Sequence, residues 1–152
     1  MRKKREEKKK MELKGFDQSS AGVFRQKKDY RITFPNGESI TFPLKSLPTN
    51  VADIISDALP YPAAPKKFDR ETKTWGQDLS SPEYLKEKSK IDAARTYALV
   101  IYGIDESLFP IQGNTLLEKI DTLIKTEIPL GYFSKIANAV GELSGISSDE
   151  FR

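Results

Sequence analysis

Residues 91–104, IDAARTYALVIYGI, would carry apolar side chains on almost every side of a helix. Ile91, Ala94, Ala98 and Ile101 recur at helical spacing, and Tyr97, Leu99, Val100 and Tyr102 widen that stripe around the barrel of the helix. A segment of this kind is stable in water only when other elements cover most of it, so the rest of the chain must be built around it. The same helix starts earlier, in SSPEYLKEKSK. Ser80 or Ser81 can cap it, Pro82 is tolerated in the first turn, and Glu83 suits the positive end of the helix dipole. Gly103 is expected to end it in the left-handed conformation, with Ile104 packing back on the last turn. Residues 82–102 therefore read as one helix whose charged first half projects into solvent and whose second half is a central post.

The hairpin DYRITFPNGESITFPL, residues 29–44, supplies part of the cover. Tyr30, Ile32 and Phe34 alternate with polar residues, and so do Ile40, Phe42 and Leu44, which is the period of two half-buried strands. Asn36-Gly37 suggests a two-residue turn, but that loop would set Phe34 opposite Ser39 and Thr33 opposite Ile40, mixing the two faces. A three-residue loop of Pro35, Asn36 and Gly37 pairs Phe34 with Glu38, Ile32 with Ile40 and Tyr30 with Phe42. One face then stays apolar, and Gly37 takes the left-handed position that follows a type I turn. Two strands alone are marginal in water, so the ribbon must pack on helices.

Three further helices are predicted. Residues 51–59 place Val51, Ile54, Ile55 and Ala58 on one face, with Asn50 as N-cap and Pro60 as the stop. Residues 115–128 open with the capping-box pair Thr115 and Glu118, set Leu116, Leu117, Ile120, Leu123, Ile124 and Ile128 on one side, and stop at Pro129. Residues 131–145 space Tyr132, Phe133, Ile136, Ala139, Val140 and Leu143 helically, with Gly145 as C-terminal cap. Between them, residues 60–81 form a connector with a stiff opening at Pro60, Pro62 and Pro65 and no regular period; Trp75 reads there as an anchor to the core, or else as a partner contact. The fold class is α+β, mainly α: a small N-terminal hairpin on a compact bundle of about four helices, as one domain over 29–146. Residues 1–28 form a charged lead-in of low order and 147–152 a C-terminal tail.

The chain has no Cys and no His, which removes disulfides, thiolate nucleophiles, imidazole bases and the usual zinc ligand sets together. No run approaches the roughly 20 apolar residues of a membrane span, and the expectation is an intracellular, non-membrane protein. The net charge of +3 belongs to one short stretch: residues 1–10 hold seven basic and two acidic residues, so residues 11–152 hold 18 against 20. Such a run is a solvated end or, alternatively, a phosphate-binding tail. No phosphate-cradling glycine loop, dinucleotide fingerprint or nucleophile elbow is present. Asp69/Glu71 and Asp105/Glu106 are carboxylate pairs, read as solvated surface where nothing shifts their proton affinity. A helix-turn-helix over residues 115–145 would offer only Lys135 to DNA, so core packing is the better reading.

The connector-to-helix passage PEYL…YGI and the closing LGYFSKIANAVGELSG, with the hairpin before them, resemble the tail assembly chaperones of long-tailed bacteriophages across residues 30–150. The resemblance implies a non-catalytic, mostly helical protein of the host cytoplasm without cofactor or metal. It would self-associate weakly and coat the tape-measure protein until the tail tube forms around it. The surface around Tyr97, Ile101, Leu116, Tyr132, Phe133 and Ile136 is the candidate partner-binding set, with plain core packing as the alternative for each. Two other classes stand beside this one: a structural virion component (tail completion or head-tail connector), and a small nucleic-acid-binding protein that uses residues 1–10.

Overall fold

The computed structural model describes residues 25–146, so the basic stretch 1–10 and the tail 147–152 lie outside the described residues. The first hairpin joins strands β1 (Lys27–Thr33) and β2 (Ser39–Lys45) in the register set by the faces: Ile32 opposite Ile40 and Tyr30 opposite Phe42. The loop is the three-residue one. Phe34 N–H donates to the Glu38 carbonyl at 2.8 Å, Gly37 N–H donates to the Phe34 carbonyl at 2.9 Å, and Gly37 sits at φ +87°. Ile32, Phe42 and Leu44 are buried beneath this ribbon.

Helix α1 (Val51–Ala58) follows, with Val51 and Ile55 inward; Asn50 holds the cap position but makes no side-chain cap bond. The connector is not featureless. It contains a second hairpin, β3 (Lys66–Asp69) with β4 (Thr74–Gln77), in which Phe68 pairs with Trp75 and every residue is exposed. Its four-residue strands turn at Asp69, whose carboxylate accepts from the Glu71 N–H at 2.9 Å, and at Lys73, which takes φ +52°. Trp75 is thus not an anchor to the core.

Helix α2 (Pro82–Gly103) is the central post: Ala98 and Val100 are fully buried and Ile101 nearly so, while Glu83, Lys86, Glu87 and Lys90 are exposed in its first half. Ser81 caps it by accepting the Tyr84 N–H. Gly103 does not end the helix in the left-handed conformation. It is the last helical residue, and its lack of a side chain serves a different contact, because a Cβ there would stand 2.4 Å from both Val140 methyls. The chain then becomes extended at Ile104, which bridges Leu44 as a third-strand stub, and Asp105 N–H donates to the Pro43 carbonyl at 2.8 Å. The post is thereby tied to β2.

Helices α3 (Leu116–Lys125) and α4 (Leu130–Leu143) close the core, α4 against α2 and both strands of the first hairpin, α3 against α2. Thr115 caps α3 through the Glu118 N–H, and the Glu118 carboxylate accepts from Asn114 N–H, the reciprocal arrangement expected of a capping box shifted by one residue. The helix stops at Lys125, earlier than the sequence suggests. Pro129 disfavours helical backbone at Ile128, and Glu127 at φ +59° turns the chain so that Pro129 becomes the N-cap of α4. At the other end, Gly145 takes φ +72°, Ile146 N–H donates to Gly141 and Gly145 N–H to Glu142, the paired bonds of a Schellman cap.

Candidate interaction surfaces

Of the six residues expected at a partner surface, four are core. Tyr97 meets Phe133 ring edge to face at 5.2 Å between centroids, and Ile101 and Ile136 are buried beside them. In this fold their side chains have no free area to give a partner. Leu116 and Tyr132 are half-buried at the rim; Tyr132 sets its ring against Phe34 at 4.9 Å and carries the Lys135 ammonium at 5.5 Å. Helical spacing in the sequence marks apolar stripes, but a stripe does not say which members meet a neighbouring element.

The apolar side chains left outside the core fall elsewhere. Helix α3 buries only Ile120 and Leu123, while Leu117 and Ile124 are 61% and 51% exposed. Seven residues apart, they lie two turns from each other on one side of the helix. The sequence sets them on one apolar side with Leu116, Ile120, Leu123 and Ile128, and of that side α3 buries only a narrow line. On the second hairpin, Phe68 and Trp75 pack with ring centroids 5.3 Å apart and planes tilted by 57°, and Trp75 is 69% exposed. The signal for this pair was present in KKFD and TWGQ, one aromatic on each strand, but too short to show alternation.

A groove of about 760 Å³ runs between α1, α2 and α4. At one end, Tyr61 clasps the start of the connector to α2. Its hydroxyl donates to the Asp92 carboxylate at 2.5 Å, and the Arg95 guanidinium lies 3.9 Å over its ring while donating to the Leu59 carbonyl at 2.8 and 3.0 Å. The Asp92 carboxylate, which takes the phenol proton in a hydrogen bond, together with partial burial, raises the proton affinity of Tyr61. It therefore stays a neutral donor through the physiological range.

The two carboxylate pairs divide. Asp69 stays on the surface as a turn former, its acidity increased by the Glu71 and Thr72 backbone N–H groups. Asp105 is buried rather than solvated. Its carboxylate accepts from the Ser107 hydroxyl at 2.6 Å and N–H at 3.2 Å and pairs with Lys27 at 3.5 Å, and these partners hold its pKa below the ordinary carboxylate value. A carboxylate so held stays charged near neutral pH and is a poor proton carrier. Among the described residues no group of His, Cys, Asp or Glu could hold a metal ion, no buried side-chain polar atom lacks a hydrogen-bond partner, and no helix is long and apolar enough to cross a membrane. Comparison with protein-family models, curated proteins and solved structures gives no match.

Proposed function

We propose that this chain is a non-catalytic binding protein of phage tail assembly, a chaperone that keeps a tape-measure protein soluble in the host cytoplasm until the tail tube grows around it. The observation that supports this reading best is the placement of large apolar groups outside the core cluster of the described residues. Leu117 and Ile124 stand on an exposed helix face, and Phe68 and Trp75 stand on a hairpin whose residues are all exposed. Large exposed aromatic and aliphatic groups favour contact with another chain.

A tape-measure protein is long and helical, with apolar stripes that aggregate when bare. Several copies of a small domain, each offering two or three apolar contacts, would cover such a stripe through avidity and leave it when the tube displaces them. Leu116 and Tyr132 belong to the rim of this surface; Tyr97, Ile101, Phe133 and Ile136 support it from inside. Weak self-association through the same groups follows from the same chemistry. The test is co-expression with a tape-measure protein. Recovery of a soluble complex of several copies per client is the expected result, and a clean monomer beside an insoluble client would overturn the reading.

A further inference from the structure

The second hairpin is an exposed arm that concentrates positive charge. Residues 66–77 hold four basic and two acidic residues, whereas the other described residues hold 12 against 14. Lys66, Lys67, Arg70 and Lys73 are all exposed, and neither Phe68 nor Trp75 belongs to the core cluster or packs against it. The register sorts these groups by face. Lys66 opposite Gln77 and Phe68 opposite Trp75 share one side of the ribbon, because residues two apart along a strand point the same way. The aromatic pair is therefore bracketed by Lys66 at the root of the arm and by Arg70 and Lys73 at its tip. Of the two acids, Asp69 falls on the opposite face, where its carboxylate accepts from the Glu71 and Thr72 N–H groups at 2.9 and 3.4 Å, leaving Glu71 as the acid of the turn itself.

The root of the arm is fixed. Asp78 N–H donates to the Pro65 carbonyl at 2.7 Å, just beyond the last strand pair, and the Asp78 carboxylate accepts from the Ser80 N–H at 3.2 Å and hydroxyl at 2.8 Å. Tyr61 ties the segment before it to Asp92 and Arg95 of α2. A platform held in this way loses little freedom when it binds. Bases of a single strand stack on successive flat surfaces, which two rings tilted by 57° do not provide. A tilted pair instead seats the aliphatic side chains of a helix stripe, and cations on either side of it meet carboxylates that flank the stripe. We propose that the arm selects an acidic amphipathic helix, with the apolar stripe on Phe68 and Trp75 and the flanking Asp or Glu residues at Lys66, Arg70 and Lys73. This selectivity rests on the arm being a client-binding element and adds the charge of the segment it takes.

Trp75 is the only Trp, so its emission in the full chain reads contact at the arm rather than at the basic residues 1–10. The probes are two helical peptides of about 20 residues without Trp or Tyr, with the same leucine stripe, one flanked by Glu and one by Lys. The Glu peptide is expected to shift Trp75 emission to the blue and to bind at least about tenfold tighter than the Lys peptide at low salt, a margin that shrinks as salt screens it. Lys66→Glu with Lys73→Glu takes the arm from four basic and two acidic residues to two and four, and should reverse the preference. Since that variant must gain affinity for the Lys peptide, a damaged arm cannot imitate the result. Equal affinities of the native chain for the two peptides would overturn the proposal and leave the client reading standing. No Trp75 shift with either peptide would overturn it together with the arm's part in client binding. A larger shift with a deoxythymidine oligomer than with the Glu peptide would overturn it in favour of single-stranded nucleic acid, and a shift that grows with protein concentration alone would do so in favour of a second copy of this chain.

Discussion

The molecule contains two hairpins built by similar local rules and held by different means. β1–β2 lays Ile32, Phe42 and Leu44 into the core and is tied to the end of α2 by the Ile104 bridge; β3–β4 buries no residue, and its aromatic pair packs only face to flank on itself. Hairpins of this size gain little from their own hydrogen bonds, so the first draws its stability from the helices and the second has none to draw. The difference separates residues that make the fold from residues available to something else. It also moves the search for function from the core stripes to the arm and the outer side of α3.

The sharpest way to break this comparison is at Phe42, which is 4% exposed and packs on Phe109 at 5.3 Å. Phe42→Ala should lower unfolding free energy by about 3–5 kcal/mol, read from the denaturant midpoint. Next comes Gly103→Ala, where the new methyl meets Val140 and must push α2 from α4; the expected loss is about 1–3 kcal/mol. Val140→Ala in the same chain should return part of that loss, because it removes the colliding methyls. Gly37→Ala forces a side chain into left-handed backbone in the first turn and should cost about 1–2 kcal/mol with no change in the buried set.

Asp105 gives a smaller effect with a defined sign. Its folded pKa lies below the ordinary carboxylate value, so the unfolded chain binds its proton first as pH falls. Its stabilisation is complete above about pH 4 and is lost as pH drops through the folded pKa. Denaturation curves taken from pH 7 to pH 2 should show a shallower acid decline in Asp105→Asn than in the native chain. The smallest effect belongs to the arm: Trp75→Ala should change stability by no more than about 0.5 kcal/mol. As the only Trp, and exposed, it should also report global unfolding poorly by fluorescence, whereas far-ultraviolet circular dichroism follows it.

The first hairpin could be read to the level of its register because a face rule allows one loop length and forbids the other. The split character of α2 was legible for the same reason, since apolar groups on all sides demand cover. The second hairpin was not, because KKFD and TWGQ each hold a single apolar residue, and two points define no period. The end of α2 was misjudged because a glycine needed for close helix approach carries the same letter as one needed for a left-handed cap. The candidate site shared that weakness: Phe133 and Ile136 are as apolar as Leu117 and Ile124, and only the arrangement of helices tells the buried pair from the exposed one.

The most direct measurement is the soluble fraction of a tape-measure protein co-expressed with the native chain and with the Phe68→Ala/Trp75→Ala/Leu117→Ala variant. All three sites are exposed, so the variant should melt with the native chain. The native chain should keep the client in solution and the variant should leave most of it in the pellet. A variant that folds normally and solubilises the client as well as the native chain does would contradict the assignment of these outer residues to binding.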